Sequence, residues 1–423
     1  MSSVAVVGTG YVGLTTGAYL AHLGHEVVCA DVVAAKVEQL SRGVIPIFEA
    51  GLEELVREGL DGRRLSFVVG AGAAVERAEF VFLCLPTPQG EDGSADMSYV
   101  EAAAREIGPL LRSEAVVINK STVPVGSTRV VEHALGRDDV HVVSNPEFLR
   151  EGSAVHDCLH PDRIVIGSDD NGAAIRVASL FARLEAPLIV TDPASAEAIK
   201  YASNAFLATK VSFVNAMANL CEAVGADVRE VVLGMGYDRR IGFEFLKPGP
   251  GWGGSCFPKD TRALIRIGDE AGYDFSMLRG VVAVNEEQYD RVVAKVERMA
   301  GGTLEGVAVG AWGLTFKART DDTRDSPALE VIRRLQARGA SVKAYDPAAA
   351  PVGLDDITRV EDPYAAADGA AVLVVLTEWD DFRWLDLDKV RGLMAAPCIV
   401  DTRNLLDPTV VRRKGFTYEG MGR

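Results

Sequence analysis

Ten residues near the start of the chain, Val4-Ala5-Val6-Val7-Gly8-Thr9-Gly10-Tyr11-Val12-Gly13, narrow the fold more than any other feature. Four apolar residues read as a buried strand and a helical pattern follows the last glycine, so a G-x-G-x-x-G lies between strand and helix. In that setting Gly8 makes the tight turn, Gly10 lets the backbone close on a pyrophosphate, and Gly13 lets helix and strand pack closely. The helix start at Tyr11 and Val12 then presents unbonded N–H groups to the phosphates. Asp31 ends the next apolar run, where a carboxylate can accept from ribose hydroxyls and would repel a 2′-phosphate, which favours NAD over NADP. Lys36 stands close by and leaves the phosphorylated cofactor open.

The same alternation continues along the chain. Apolar runs at 4–7, 26–30, 80–85, 115–118, 140–144 and 164–167 are separated by stretches of helical periodicity, the pattern of a doubly wound parallel sheet. From about 195 to 224 the pattern changes to one long segment rich in Ala, Leu, Val and Asn, which reads as a single helix. A Gly- and Pro-rich loop at 236–258 and further helix to about 299 follow it, and after Gly301-Gly302 strands are expected again at 306–310, 341–345, 371–376 and 398–400. The expected fold class is therefore α/β, with two Rossmann-like doubly wound parallel sheets joined by a long central helix. Residues 1–193 would form the dinucleotide domain, 194–299 a central helical domain, and 300–423 the second sheet. The apolar central helix predicts a homodimer, or a higher homo-oligomer, built through it.

Composition removes several function classes. A formal net charge of -16 argues against a nucleic-acid surface, and no run approaches the ~18 apolar residues that span a bilayer. The opening apolar run lacks a basic flank and reads as a strand rather than a leader. The six cysteines are far apart and include no C-x-x-C, so a reducing, cytoplasmic setting without a disulfide framework is expected. His156-Asp157-Cys158-Leu159-His160 has metal-like spacing if helical, but Pro161 follows at once and the segment reads as a connection, so no metal site is expected.

The chemistry concentrates in Gly249-Pro250-Gly251-Trp252-Gly253-Gly254-Ser255-Cys256-Phe257-Pro258-Lys259-Asp260. Glycines around one cysteine imply a backbone that approaches a ligand, and Pro258 suits the first turn of a helix, which sets Cys256 beside a helix N-terminus. A thiol of pKa ~8.5 becomes half ionised at neutrality if lowered by ~1.5 units, a stabilisation of ~2 kcal/mol that terminal amides and Lys259 can supply. The competing reading is a small cysteine packed in a turn. Lys200 and Asn204 share one face of the long helix and can hold an oxyanion or a water, or else form a solvated face. The runs 120–126 and 144–152 follow strands and so lie where open α/β sheets bind ligands.

These residues closely resemble the UDP-glucose 6-dehydrogenase branch of the nucleotide-sugar dehydrogenases, the UDP-glucose/GDP-mannose dehydrogenase family. The resemblance runs through the opening fingerprint, Leu85-Pro86-Thr87-Pro88, Lys120-Ser121-Thr122-Val123-Pro124, Asn145-Pro146-Glu147-Phe148-Leu149, the Cys256 loop, Gly313-Leu314-Thr315-Phe316-Lys317, Asp322-Thr323-Arg324-Asp325-Ser326-Pro327 and Thr377-Glu378-Trp379-Asp380. It implies a four-electron oxidation of UDP-glucose to UDP-glucuronate with two NAD in turn, through a thiohemiacetal and a thioester on Cys256. Capture makes physical sense, because a free aldehyde would hydrate or escape before the second oxidation.

Carried over position by position, the resemblance implies that Lys200 and Asn204 hold an oxyanion or water and that Asp260 partners Lys200. It also implies that Thr122 positions water and that Glu147 is the base for thioester hydrolysis, which needs a carboxylate suited to accepting a proton near neutrality. Cofactor contacts are implied at Pro86, Thr87, Ser121, Thr122, Glu151, Lys259 and Arg324. For the nucleotide sugar the implied contacts are Glu147, Phe148, Leu149, Arg150, Glu151, Lys200, Asn204, Phe245, Leu246, Lys247, Gly249, Gly253, Phe316, Lys317 and Arg403, with Arg240 reaching across from a neighbouring subunit. The residues after 300 would thus hold the UDP-sugar.

Two positions depart from the family pattern, Trp252 in the loop and Thr315 where alanine is commoner, and both bear on the fit to sugar or base. Ser255 before the cysteine, where N-acetylhexosamine branches have histidine, favours glucose. Left open are the same chemistry on dTDP-glucose or GDP-mannose, a two-electron hydroxyacid dehydrogenase, and a non-catalytic NAD-binding sensor.

Overall fold

Eight short strands set the frame of the first half of the chain, in a computed structural model that describes residues 1–90, 94–349 and 357–423. Two compact units are present, Met1–Ser203 with Arg262–Ala271, and Asn204–Thr261 with Gly272–Arg423.

In the first unit the strands are β1 (Ser3–Val7), β2 (Glu26–Asp31), β3 (Leu65–Val69), β4 (Phe80–Leu83), β5 (Val116–Asn119), β6 (His141–Ser144), β7 (Ile164–Gly167) and β8 (Leu188–Thr191). They form one sheet in the order β3-β2-β1-β4-β5-β6-β7-β8. The order reverses between β2-β1 and β4, with Val4 opposite both Val27 and Phe80, so the crevice for a ligand opens at the carboxyl ends of β1 and β4. Helices cover both faces: Leu14, Leu20 and Phe82 pack into one core and Val81, Leu83 and Ile107 into another.

The sheet is parallel from β3 to β6, and β7 then runs antiparallel to β6, a departure from the all-parallel expectation. An antiparallel neighbour needs no crossover helix. The connection between β6 and β7 therefore leaves and rejoins the sheet at one edge, which anchors the loop after Ser144 at both ends. β3 and β8 were not anticipated, and β8 is exposed along Leu188, Ile189 and Val190, so burial gave no periodic signal there.

In the second unit β9 (Ala308–Trp312), β10 (Ser341–Tyr345), β11 (Thr358–Arg359), β12 (Val372–Val375), β13 (Cys398–Asp401) and β14 (Thr417–Glu419) pair in the order β11-β10-β9-β12-β13-β14, all parallel. β9 begins two residues later than expected because Gly306 adopts a left-handed φ of 71° and turns the chain before the strand. The long helix spans Pro193–Val224; its residues up to Ser203 pack with the first unit and those from Asn204 with the second. No helix of the described residues is long and apolar enough to cross a membrane.

Candidate active site

The fingerprint folds as the turn between β1 and the helix Tyr11–His22. A Cβ on Gly13 would run into the Gly8 carbonyl, while the corresponding position on Gly10 faces open space within 4 Å. That helix has no side-chain cap at its N-terminus, so its first N–H groups stay available to an anion. Asp31 Oδ2 accepts from the Thr9 N–H at 3.2 Å and from Lys36 Nζ at 3.0 Å, and its Oδ1 accepts from the Val33 N–H at 3.1 Å. Burial pushes the Asp31 carboxyl up, but the Thr9 hydroxyl, the Val33 amide and Lys36 outweigh it and bring it down to about 2. Lys36 is thus engaged by the carboxylate that a 2′-phosphate would have to approach. These residues fit a dinucleotide with free ribose hydroxyls. Tyr11 reaches the other way, with its hydroxyl on Glu49 and accepting the Gly152 N–H at 3.0 Å.

At the carboxyl edge of the same sheet the expected loop residues come together. Ser121 Oγ accepts the Leu85 N–H at 2.9 Å, and the Thr87 hydroxyl donates to the Thr122 carbonyl at 2.8 Å, which joins the loops after β4 and β5. Glu147 follows β6 and meets Lys200 of the long helix, Nζ to Oε1 2.8 Å, with both residues buried. The Leu149 N–H donates to Glu147 Oε2 at 2.6 Å. Phe148 lies under the Arg163 guanidinium, 3.5 Å from the ring centroid. Arg150 is held by Asp157 at 2.6 Å.

Burial alone would raise the Glu147 carboxyl, but the charge and hydrogen bond of Lys200, the Leu149 amide and the charge of Lys120 hold it below the usual carboxylate range. In this arrangement Glu147 is an ion-paired carboxylate. Lys120, which sequence reasoning left without a role, is buried, donates to Asn145 Oδ1 at 3.0 Å, and has its proton affinity lowered by burial. Lys120, Asn145, Glu147, Cys158 and Arg163 are among the residues lining a cavity of about 130 Å³. The signal for Lys120 and Asn145 was positional, since each follows a strand at the ligand-binding edge.

In the second unit Cys256 directly precedes the helix Phe257–Glu270, whose turn closes on it through the Asp260 N–H at 2.8 Å. It is partly exposed, with the Ser255 hydroxyl 3.6 Å from its sulfur. Asp260 is buried, accepts from Asn204 Nδ2 at 2.6 Å and faces Lys259 at 3.1 Å. Lys200 therefore has Glu147 as an ion-pair partner and Asp260 has Lys259. Cys29, Cys84, Cys158 and Cys221 are buried, and Cys398 is partly exposed. Burial pushes the Cys84 and Cys158 thiols up to about 12 and Cys29 higher still.

The glycines of this loop are pressed against protein rather than kept clear for a ligand. A Cβ on Gly253 would collide with the Asp325 carbonyl, and one on Gly254 (φ 82°) with the Phe316 ring. Trp252 is buried: its indole N–H donates to the Ser212 hydroxyl at 2.9 Å, and its backbone N–H and carbonyl both bond to the side chain of Asn285 at 2.8 and 3.0 Å. Trp252 thus anchors the loop. Asn215 accepts the Gly249 N–H and Gln288 donates to the Gly249 carbonyl, both at 2.8 Å. None of these amide side chains had a sequence signal, because each lies far from the loop along the chain.

Arg403 donates to the carbonyls of Phe316 at 3.0 Å and Leu376 at 2.8 Å, and a side chain on Gly249 would meet its guanidinium. The Phe245 ring lies 6.0 Å from that of Phe257 and tilted to it, with Leu246 buried beside it and Lys247 exposed. Lys317 Nζ lies 5.4 Å from the centre of the Phe316 ring. Thr315 is buried and donates to Asp346 at 3.1 Å, a carboxylate that also takes the Trp379 indole N–H. Arg324 and Arg240 are exposed and held by neighbouring carboxylates, Asp322 and Asp238, each at 2.6 Å. The rings of His156 and His160 lie 5.0 Å apart and tilted at the end of the helix Ala154–Leu159, and no group of three potential metal ligands occurs among the described residues.

Residues 2–185 match the NAD binding domain of the UDP-glucose/GDP-mannose dehydrogenase family, 194–287 its central domain and 310–408 its UDP binding domain. The chain is 44% identical over 432 residues to UDP-glucose 6-dehydrogenase TuaD of Bacillus subtilis, covering 100% of this chain and 94% of that protein. It is also 44% identical to UDP-glucose 6-dehydrogenase of Pseudomonas aeruginosa, covering 99% and 97%. Its structure superposes on that of a UDP-glucose dehydrogenase from the archaeon Pyrobaculum islandicum with a TM-score of 0.92 and 41% identity, over 99% of this chain and 97% of that one. With all three segments matched in order, the chain belongs to the UDP-glucose/GDP-mannose dehydrogenase family.

Proposed function

We propose that this chain oxidises the C6 alcohol of UDP-glucose to the carboxylate of UDP-glucuronate, in two NAD-linked steps through a covalent intermediate on Cys256. The observation that carries the reading is the placement of Cys256: it is partly exposed and heads the helix Phe257–Glu270, whereas Cys29, Cys84, Cys158 and Cys221 are buried and Cys398, also partly exposed, begins β13. Identity of 44% to two proteins named UDP-glucose 6-dehydrogenase supports the substrate.

Bound NAD supplies a hydride acceptor for each of the two oxidations. Loss of hydride and a proton from the C6 alcohol gives an aldehyde, and the Cys256 sulfur adds to its carbon to form a thiohemiacetal. Loss of a second hydride and proton gives a thioester. Water then adds to the acyl carbon, the carbon–sulfur bond breaks, the sulfur recovers its proton and the acyl group leaves as a carboxylate. In this reading Lys200 and Asn204 stabilise the oxygen that becomes negative, Asp260 orients Asn204, and Thr122 holds the attacking water. Glu147 starts as a carboxylate and gains proton affinity when the Lys200 charge is drawn toward the oxyanion, so the base is switched on as hydrolysis begins. Arg403, Lys317 and the loop around Phe245 serve the nucleotide.

The division of labour follows the expected domains, with 1–193 for NAD, 194–299 for catalysis and association, and 300–423 for the UDP-sugar. A dimer through the long helix is supported by Phe206, Phe213 and Leu220, exposed at 65%, 49% and 51% and spaced seven residues apart on one side. Arg240 would complete the neighbouring subunit's substrate site. Six free cysteines fit a reducing cytoplasm.

The test is to assay NAD reduction with UDP-glucose, dTDP-glucose and GDP-mannose and to identify the product by mass. Two NADH per UDP-glucose with uronate as product is expected. One NADH with aldehyde as the end product, or reduction with another nucleotide sugar only, rejects the proposal.

A further inference from the structure

The long helix carries a second buried carboxylate one turn before Lys200. Glu197 is 2% exposed; its Oε2 accepts the Gly126 N–H at 2.6 Å, and its Oε1 accepts the Thr128 N–H at 2.9 Å and the Thr128 hydroxyl at 2.7 Å. Those donors belong to the first turn of the helix Ser127–Leu135, whose own cap position is Gly126, a residue without a side chain. The first N–H groups of a helix lack intrahelical acceptors, and a carboxylate there satisfies them and complements the helix dipole. Here the capping group comes from a distant segment. Burial pushes the Glu197 carboxyl up, and the donors at Thr128 and Gly126 pull it back.

The segment entering that helix is the loop 120–126, which holds Thr122. Its start is fixed to the loop after β4 through Ser121 on Leu85, Oγ to the carbonyl at 2.7 Å, and through the Thr122 carbonyl on Thr87. Its end is held where Gly126 and Thr128 meet Glu197, on the helix that carries Lys200 three residues later, and the helix it enters packs into the core through Val131 and Leu135. Thr122 is partly exposed between these two pins. Each such tie removes conformational freedom from the loop in the folded state.

We propose that Glu197 is a positioning residue for thioester hydrolysis: its carboxylate fixes the Thr122 loop to the helix turn of Lys200, so that the hydroxyl holding the water and the ammonium facing the oxyanion keep one geometry. The proposal rests on the roles given to Thr122 and Lys200 above. Hydride removal does not use the water held by Thr122, so the two halves of the reaction respond differently to loss of the clamp. A cap that merely stabilises the fold would slow both halves alike or neither.

The experiment uses the full-length enzyme with NAD and UDP-glucose, and compares Glu197→Gln, Glu197→Ala, Thr122→Ala and the Glu197→Ala/Thr122→Ala double variant. The readouts are the rate of the first NADH burst and the acyl adduct on Cys256 seen by intact mass. Expected for both Glu197 variants are an unchanged burst, an accumulated acyl-enzyme, and turnover lower on the order of 10- to 100-fold, the scale on which small misplacements act. Thr122→Ala accumulates the same adduct, and the double variant is no slower than Thr122→Ala alone. Should Glu197→Ala fold poorly, the isosteric Gln variant still reads the partition. Burst and turnover falling together without adduct would overturn the proposal. Slow hydrolysis in Thr122→Ala with normal hydrolysis in Glu197→Ala would overturn the clamp alone, whereas normal hydrolysis in Thr122→Ala would remove the reading of Thr122 on which it rests.

Discussion

Lys200 Nζ lies 2.8 Å from Glu147 Oε1, with the two side chains 4% and 6% exposed, so one ion pair joins the long helix to the loop after β6. Removing one member of a buried pair strands the other, at a cost of about 3–5 kcal/mol. Lys200→Met should therefore lower stability by an amount in that range and abolish most turnover, while NAD affinity changes little. Denaturant unfolding together with cofactor titration checks this, and a stable variant with normal turnover would contradict both roles.

The same pair sets an acid limit. The folded-state Glu147 carboxyl is held below its ordinary value of 4.5, so its contribution to stability is complete above that value and is lost as pH falls through the depressed one. Melting temperature followed from pH 7 into acid should drop more steeply for the wild type than for Glu147→Gln, which has no proton to gain at that site. Parallel curves would show that the pair contributes nothing to acid sensitivity.

Cys256→Ser should stop the reaction after the first oxidation, because only capture of the aldehyde needs sulfur. NADH yield should fall from two per sugar to at most one, with cofactor binding retained. Full two-step turnover in this variant would be incompatible with a covalent route.

Asn285 is buried and bonds to both the backbone N–H and the carbonyl of Trp252, and its amide also donates to the Tyr289 hydroxyl at 2.8 Å. Asn285→Ala leaves the Trp252 N–H without its acceptor, at about 1–3 kcal/mol, while the Tyr289 hydroxyl still donates to the Trp252 carbonyl at 3.2 Å. The expected result is a loss of stability of about 2 kcal/mol, together with lower kcat and unaltered NAD affinity. Unchanged kcat would mean that the cysteine loop keeps its shape without this anchor.

Phe213→Glu places a charge in the exposed apolar stripe of the long helix, where Phe213 is 49% exposed. Sedimentation should show a shift from dimer to monomer at micromolar concentration, with the monomer still binding NAD. A dimer that persists would move the association surface elsewhere.

Much of the fold was legible because its signals are local. Strand runs such as Val4-Ala5-Val6-Val7 are apolar without interruption since both faces of a covered parallel sheet are buried. The strands that were not anticipated fail this condition: β8 is exposed at Leu188, Ile189 and Val190, β11 is a two-residue edge, and β3 and β14 alternate buried with exposed positions. Among site residues, the fingerprint, Asp31, Cys256, Lys200 and Glu147 could be singled out because each sits in a short motif or at a strand or helix end. Partnership could not be read. The Glu147 carboxyl is held low by the Lys200 ammonium from the long helix and by Lys120 from another strand end, neither of which is near it along the chain.

The sequence by itself determined the alternation of strands and helices, the glycine turn that admits a pyrophosphate, and the chemical types available for catalysis, since each follows from residues adjacent along the chain. Tertiary structure alone decided that Trp252 and Asn285 hold the cysteine loop, that its glycines face Asp325 and Phe316, and that Glu197 caps a helix begun seventy residues earlier. Those are contacts between groups far apart in the chain, and their energies depend on burial and donor geometry that exist only once the core has closed.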